Sequence, residues 1–226
     1  MTHQELIDSL IKGGYLKTRR IIAAFKKIDR KNFVPEGLEE EAYVNAPLPI
    51  GFGQTISQPL TVAFMIELLQ PEKGNIILDV GAGSGWQTAI LAEIVGKYGK
   101  VFAVELLEKL ADFGRANVEK YNFLKTGRAE FIHGNAEQGL PDKAPFDRII
   151  AAASTEAIPE AWKKQLKIGG RIVSPVASSI FLLIKKSEAE FDKFENPGFA
   201  FVPFVAGGSE IEPEWKKHFK KPHENV

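Results

Sequence analysis

The chain contains 226 residues, of which 44% are hydrophobic and 26% are charged, and its 29 basic residues balance its 29 acidic residues. This length and composition predict one domain with a substantial core, and the balanced charge provides no general field that would hold a nucleic acid. The absence of cysteine excludes disulfides, thiolate nucleophiles and zinc–thiolate sites, and the four histidines show no metal-ligand spacing, so we expect neither a metal nor a nucleic-acid partner.

The longest uncharged stretch of the chain runs from Ala42 to Ile66. Its prolines, glycines, glutamines and hydroxyl residues would leave polar groups unpaired in hydrocarbon, so it does not predict a membrane span. The N-terminus carries acidic residues early and lacks the apolar region of a secretory signal. We therefore expect a cytoplasmic protein without a membrane partner.

The spacing of apolar residues predicts a regular alternation of elements. Spacings of three and four predict amphipathic helices, and short, nearly continuous apolar runs predict buried strands. In chain order, the sequence predicts helices at 4–11, 18–28 and 59–70, a strand at 75–80, a helix at 86–97, a strand at 100–105, a helix at 108–121, strands at 128–133 and 146–152, a helix at 158–166, and strands at 170–175, 180–185 and 199–205.

This alternation is typical of an α/β protein with a Rossmann-like, doubly wound and mostly parallel sheet that carries helices on both faces. The last predicted strands lack helices between them, so we expect them to close the sheet with an antiparallel edge. The prediction divides the single domain into an N-terminal helical segment at 1–72, an α/β core at 73–208 and a tail at 209–226. The charged, proline-containing tail predicts a short helix with a frayed end.

The first core strand runs into the loop Asp79-Val80-Gly81-Ala82-Gly83-Ser84-Gly85. Ligands of doubly wound sheets bind beyond the carboxyl ends of the strands, and glycines there leave room for a ligand against bare backbone. A dinucleotide fingerprint would need glycine or alanine where Trp86 stands, so the spacing argues against NAD. The loop instead resembles the first motif of class I methyltransferases, which bind S-adenosylmethionine. We therefore predict that residues 81–85 contact this cofactor.

The next predicted strand ends in Glu105. A carboxylate at this place can accept hydrogen bonds from both ribose hydroxyls of a nucleoside. Taken alone, an acid in the first turn of the following helix would be the simpler interpretation. After the glycine loop, ribose binding is favoured, and Glu105 and Leu106 are predicted cofactor contacts.

The chain resembles the protein-L-isoaspartate (D-aspartate) O-methyltransferase family over residues 33–205. The glycine loop would fit many methyltransferases, whereas the motif Gly53-Gln54-Thr55-Ile56-Ser57-Gln58-Pro59 belongs far more narrowly to this family. Other matching pieces are Asn32-Phe33-Val34-Pro35, Pro47-Leu48-Pro49-Ile50-Gly51, Ala144-Pro145-Phe146-Asp147 and Phe201-Val202-Pro203-Phe204.

The resemblance implies methyl transfer from S-adenosylmethionine to the free carboxyl of L-isoaspartyl residues in damaged proteins and peptides, with D-aspartyl residues as the further substrate class in the family name. The ester collapses to a succinimide that reopens partly to normal aspartate, which begins repair. A carboxylate with an ordinary pKa of about 3.5 is already ionised at neutral pH and needs no general base. A neutral pocket of hydroxyls and amides can hold it without the repulsion that Asp or Glu would cause.

Ser57 matches the family's active-site serine and is the predicted catalytic residue, which orients the attacking carboxylate. Thr55 and the Ile56 backbone lie beside it in the sequence, and all three are also predicted cofactor contacts. Ser57 can in addition cap the helix that Pro59 helps to start. The resemblance places the segment at 1–72 on the substrate side.

The sequence Gly134-Asn135-Ala136 stands where the family usually has Gly-Asp-Gly. Asn135 keeps an acceptor oxygen for the adenine amino group, so Asn135 and Ala136 remain predicted cofactor contacts. Two other functions stay open: a carboxyl methyltransferase for another aspartyl or isoaspartyl peptide, and a non-catalytic relative that binds S-adenosylmethionine. The expected partners are isoaspartyl-containing proteins and peptides, and we expect a monomer.

Overall fold

The computed structural model describes residues 1–201, so the predicted tail at 209–226 lies outside the described residues. The helices are α1 (His3–Lys12), α2 (Arg19–Lys27), α3 (Pro59–Leu69), α4 (Trp86–Val95), α5 (Glu108–Glu119) and α6 (Glu160–Gln165). The strands are β1 (Leu48–Gly51), β2 (Gln54–Ile56), β3 (Ile76–Val80), β4 (Lys100–Glu105), β5 (Ala129–His133), β6 (Phe146–Ala151), β7 (Leu166–Val176), β8 (Ser179–Lys185) and β9 (Phe191–Pro197). None of the helices in this part of the chain is long and apolar enough to cross a bilayer.

Seven of these strands form one mixed sheet in the order β5-β4-β3-β6-β7-β8-β9. The strands from β5 to β7 pair in parallel, and β8 and β9 add an antiparallel edge, as the sequence predicts. The chain winds outward from β3 through β4 to β5 and then returns to β6 on the other side of β3. A crevice therefore forms where the connections leave β3 in opposite directions, which is where such sheets bind ligands.

The N-terminal helices belong to the same core as the sheet. Leu6 and Leu10 of α1 and Phe25 of α2 are buried in one apolar cluster with Ile90 of α4. The ring of Phe25 meets the indole of Trp86 edge to face, with 5.7 Å between the ring centroids. Residues that precede the first core strand thus support the helix that follows the glycine loop.

The predicted strand at 199–205 is wrong in its described part, because residues 199–201 are not in a strand. The last strand is β9, which is rich in polar residues because it lies at the exposed edge of the sheet and carries no buried residue. Phe199 instead stacks on Phe64 of α3, with 5.2 Å between the centroids. The Phe199 ring is partly buried by packing on a helix. An apolar residue in the sequence pattern does not show whether it packs in this way or belongs to a strand. Residues 202–205 lie outside the described residues.

The charge-free stretch contains a hairpin that the sequence pattern does not predict. Strands β1 and β2 pair antiparallel through a turn in which Gly51, Phe52 and Gly53 all have positive φ angles. Strands of four and three residues are too short to produce a recognisable alternation.

The prediction that Ser57 caps α3 is also wrong. The N-cap residue is Gln58, and its side chain makes no capping hydrogen bond. Pro59 at the first helical position has no N–H, and the Leu60 N–H donates to the Asn45 side-chain oxygen at 3.0 Å. A residue from before the hairpin therefore satisfies the helix terminus, and the Ser57 hydroxyl takes no part in it.

Candidate active site

A cavity of about 620 Å³ lies beyond the carboxyl ends of β3, β4 and β6. The residues 80–84, which end β3 and form the glycine loop, make one wall, and residues 54–58 before α3 make the opposite wall. The cavity is lined by all but one of the residues that the sequence predicts for the site: Thr55, Ile56, Ser57, Gly81, Ala82, Gly83, Ser84, Glu105, Leu106, Asn135 and Ala136.

Gly85 is the predicted site residue that does not line the cavity. It has a φ of +82°, and a Cβ atom there would lie 2.7 Å from Val118 Cγ2 and 2.8 Å from the Gly114 carbonyl oxygen. The third glycine of the loop is therefore required for close packing of α4 against α5. Gly83 lies on the cavity side, and Ile50 of the hairpin would be 3.4 Å from a Cβ atom there, so the hairpin packs directly on the loop.

Glu105 ends β4 and holds the glycine loop in place. Its Oε2 accepts a hydrogen bond from the Gly83 N–H at 2.9 Å, and its Oε1 accepts one from the Leu107 N–H at 3.0 Å. Each carboxylate oxygen retains further acceptor capacity, because an ionised carboxylate has about four lone-pair sites. The residue thus has an orientation fixed by backbone donors, and it can still accept hydrogen bonds from a diol in the cavity.

Asp79, the acid of the glycine motif, faces away from the cavity. It is completely buried, and its two oxygens accept hydrogen bonds from Gln87 Nε2 at 2.7 Å and from Thr88 Oγ1 at 2.6 Å. Burial raises the pKa of Asp79 to about 6, the bonds from Thr88 and Gln87 lower it, and the charge of Glu105 raises it further. Asp79 therefore ties the first turn of α4 to β3, and Gln87, which lines the cavity, is held by this bond.

The wall opposite the glycine loop offers polar groups without charge. Among the residues that the structure describes, none forms a hydrogen bond with the side chain of Ser57 or Thr55, although both side chains line the cavity. Gln58 is already engaged, because its amide donates to the Asn45 carbonyl at 3.0 Å. Of the described residues that line the cavity, Glu105 alone carries a charge. This wall is thus suited to an anionic group that must not meet another anion.

The end of β5 contributes the third side of the site. Asn135 is exposed, and its side-chain oxygen accepts a hydrogen bond from the Glu137 N–H at 2.8 Å in a local turn. Ala136 is buried, and its carbonyl accepts a hydrogen bond from the Trp162 indole at 2.7 Å. His133 is exposed and does not line the cavity; its ring nitrogen is 3.1 Å from the Leu106 carbonyl.

Sequence reasoning missed two groups of residues. The first is an apolar part of the wall, formed by Phe52, Leu110 and Phe201, which come from three distant parts of the chain. The second is Arg30, which is fully buried beneath the wall that contains Ser57. Burial lowers the pKa of Arg30 to about 10, so the guanidinium remains charged at neutral pH. The absence of charge from Ala42 to Ile66 was the one signal that could have pointed to it.

Comparisons with known proteins identify the family of this chain. The family described as protein-L-isoaspartate (D-aspartate) O-methyltransferase matches residues 1–209. A relative of that name from Methanopyrus kandleri is 41% identical over 218 residues, which cover 93% of this chain and 94% of the relative. Another from Staphylothermus marinus is 40% identical over 211 residues, which cover 89% of this chain and 93% of the relative.

A solved structure has the same fold over nearly the whole described chain. It is a candidate protein-L-isoaspartate O-methyltransferase from Plasmodium falciparum in complex with S-adenosyl-L-homocysteine. Its TM-score is 0.81 at 24% sequence identity, and the match covers 91% of this chain and 99% of that one. At this identity the likeness supports the class I methyltransferase fold.

Asp79→Asn tests the assignment of Asp79 as a buried structural acid. Because folding raises the pKa of Asp79 from 3.8 to about 6, the protonated acid stabilises the fold at low pH, and this stabilisation is lost as the pH rises through about 6. Asparagine does not titrate. We therefore expect the unfolding free energy of D79N, relative to wild type, to gain up to about 3 kcal/mol between about pH 4 and about pH 7.5. Urea unfolding at both pH values measures this, and a pH-independent difference between the two proteins would contradict it.

Proposed function

This chain belongs to the protein-L-isoaspartate (D-aspartate) O-methyltransferase family, and we propose that it transfers a methyl group from S-adenosylmethionine to the free carboxyl of L-isoaspartyl residues. The observation that carries the proposal is one cavity lined by the glycine loop, by Glu105, and by Ser57 and Thr55, whose hydroxyls form no hydrogen bond with the described residues. One wall suits a nucleoside, and the other suits an anion. The proposal extends to D-aspartyl residues, which the family name includes.

The residues of the glycine-loop wall fit S-adenosylmethionine. Residues 81–84 present backbone without bulky side chains, and Glu105 has acceptor capacity for the ribose hydroxyls. Leu107 and Leu110 provide apolar surface for an adenine ring, and Asn135 lies at the rim with a polar amide. When bound, this cofactor supplies a methyl group on a sulfonium, which becomes a neutral thioether as the methyl leaves.

The protein's own contribution is to position the substrate. An isoaspartyl carboxylate is ionised at neutral pH, so no proton has to move and the cavity needs no general base. We propose that the Ser57 hydroxyl donates a hydrogen bond to one carboxylate oxygen and directs the other toward the methyl, with Thr55 and the Ile56 backbone beside it. The residues at 55–57 also contact the cofactor in this arrangement. The apolar residues Phe52 and Phe201 exclude water from this part of the cavity.

The remaining features of the proposal concern the whole protein. We propose a single domain, because one buried cluster extends from Leu6 in α1 to Leu182 in β8. Residues 1–72 contribute the substrate side, residues 73–208 form the cofactor-binding core, and residues 209–226 form the tail. We further propose a monomer in the cytoplasm, and the lack of cysteine is compatible with a reducing compartment. Light scattering on the purified protein would test the monomer.

The function itself is tested with a pair of peptides that differ only in one linkage. With labelled S-adenosylmethionine, we expect methyl incorporation into the isoaspartyl peptide to exceed that into its normal aspartyl twin by about 100-fold or more in kcat/KM. Equal incorporation into both peptides would favour a carboxyl methyltransferase of another specificity. Binding of S-adenosyl-L-homocysteine without any turnover would show a non-catalytic relative.

Ser57→Ala tests the role of the hydroxyl. If its hydrogen bond to the carboxylate is worth about 1.5 to 3 kcal/mol, the variant should lose roughly 10- to 100-fold in methyl-transfer rate. Thermal stability should change little, because the hydroxyl makes no capping bond to α3. Kinetics, calorimetry with S-adenosyl-L-homocysteine and thermal unfolding on one preparation measure the three quantities.

Ser9→Ala is the matched control for this substitution. The Ser9 hydroxyl donates to the Leu6 carbonyl within α1 at 2.6 Å and does not line the cavity. Its removal should leave the rate unchanged. A folded Ser57→Ala protein with the wild-type rate would remove Ser57 from the mechanism and leave Thr55 or backbone N–H groups to hold the carboxylate.

Asn135→Asp tests the position of the adenine. An aspartate can keep the local bond from the Glu137 N–H and leave a second, charged oxygen for the adenine amino group. Hydrogen bonds to charged groups are stronger by about 1 kcal/mol, so affinity for S-adenosyl-L-homocysteine should rise roughly fivefold, while the peptide KM stays nearly constant. A change in the peptide KM alone, with unchanged calorimetric affinity for the nucleoside, would place this loop on the substrate side.

A further inference from the structure

Arg30 is a buried cation whose bonds within the described chain go to backbone carbonyls. Its exposed fraction is 0%, and its two terminal guanidinium nitrogens, Nη1 and Nη2, donate to five carbonyl oxygens at distances from 2.7 to 3.5 Å, whereas Nε has no hydrogen-bond partner among the described residues. These carbonyls belong to Ala42, Val44, Ala46, Ile56 and Ser57. Carbonyl dipoles thus take the place that a carboxylate usually occupies beside a buried charge.

The five carbonyls lie on both sides of the hairpin formed by β1 and β2. Three of them precede β1, and the other two belong to the last residue of β2 and to Ser57. The guanidinium therefore closes the base of the hairpin. Its planar fork can satisfy several acceptors in fixed directions, which a lysine ammonium on a flexible stem cannot do.

A second observation shows that Arg30 is itself held firmly. Its guanidinium carbon is 5.4 Å from the centroid of the Trp86 ring. Trp86 lines the cavity, and its indole nitrogen is 3.5 Å from the Ile28 carbonyl. The residue before Arg30 is anchored too, because the Tyr43 hydroxyl donates to the Asp29 carboxylate at 3.0 Å.

We propose that Arg30 is a positioning residue for methyl transfer, which fixes the backbone at Ile56 and Ser57 and thereby aims the Ser57 hydroxyl at the substrate carboxylate. This inference rests on the proposed function. It is based on two observations about Ser57. Its carbonyl accepts a hydrogen bond from Arg30 at 3.1 Å, and its hydroxyl forms no hydrogen bond with the described residues.

The arrangement also explains the absence of charge in the segment. The carbonyls are oriented by one cation below the wall, so the wall needs no charged side chain of its own. Trp86 lines the cavity and lies 5.4 Å from that cation, whereas Arg30 itself does not line the cavity. The substrate carboxylate therefore meets hydroxyl groups, while the cation that orders them does not contact it.

Arg30→Lys and Arg148→Lys form a matched pair for the test. Arg148 is a partly buried arginine that donates to the carbonyls of Leu69 and Gln70 at the far end of α3. It does not line the cavity. Both substitutions keep a positive charge and remove a planar guanidinium that donates hydrogen bonds to backbone carbonyls.

We expect Arg30→Lys to lower kcat for an isoaspartyl peptide by roughly 10- to 100-fold, as small misplacements of reacting groups do. The dissociation constant of S-adenosyl-L-homocysteine should stay within about threefold, because the five hydrogen bonds of Arg30 go to the opposite wall and none goes to residues 81–85 or to Glu105. Arg148→Lys should retain the wild-type kcat even where its melting temperature falls. If charge alone mattered, Arg30→Lys would keep the wild-type rate and Arg30→Gln would lose it, which would overturn the proposal.

Two further measurements keep the test decisive. Rates are divided by the concentration of S-adenosyl-L-homocysteine sites found by calorimetry, so only folded protein is counted. A variant that folds too poorly to bind this nucleoside would show that Arg30 holds the whole core, and the specific proposal would fall. Equal losses of kcat in the two lysine variants would overturn it in the same way.

Hydrogen exchange separates the failure of this proposal from the failure of the proposed function. In Arg30→Lys, the amides at 54–58 should exchange about tenfold faster or more, and those at 81–85 should keep their wild-type protection. This readout requires no turnover. If the wild-type protein does not methylate an isoaspartyl peptide, the proposed function fails, while unchanged exchange at 54–58 would refute the positioning role itself.

Discussion

The architecture of the candidate active site depends on one buried guanidinium. Arg30 gathers the carbonyls on both sides of the β1–β2 hairpin and so fixes a segment that contains little regular structure of its own. Without such a centre, this segment would have to leave its carbonyl groups buried without partners or expose them to water. The hairpin lies against the glycine loop through Ile50. The same bonds therefore set the distance between the two walls of the cavity.

Two carboxylates beside the glycine loop have different tasks, and their surroundings explain the difference. Asp79 is enclosed by the sheet and α4, and both of its oxygens are used by Gln87 and Thr88. Glu105 borders the cavity and is held by backbone donors from Gly83 and Leu107. The first acid stabilises the start of α4, whereas the second shapes the loop and remains able to accept hydrogen bonds from a ligand.

The neutrality of the opposite wall fits the proposed reaction. A substrate that is already an anion needs alignment and exclusion of water, and general acid–base groups would add nothing to its reactivity. A carboxylate on this wall would repel the substrate carboxylate. An exposed cation would attract the negative charge of the substrate and so compete with the positively charged methyl donor. Neutral hydroxyl groups avoid both problems, and the backbone that carries them is held by hydrogen bonds to Arg30. The charge of Arg30 accordingly binds backbone carbonyls inside the core and is not exposed in the cavity.

The sequence alone determined the fold class, and all but one of the site residues that it predicts line the cavity. Buried parallel strands require nearly continuous apolar runs, and a loop that approaches a nucleoside requires glycines, so both leave a local record in residues 75–105. The sequence did not determine the hairpin, β9, the cap of α3 or the tasks of Asp79 and Arg30. Each of these depends on a partner far along the chain: Asn45 replaces Ser57 at the helix terminus, and Arg30 binds carbonyls that any residue type could supply. Backbone acceptors carry no side-chain identity, so only the tertiary structure could decide where this cation is used.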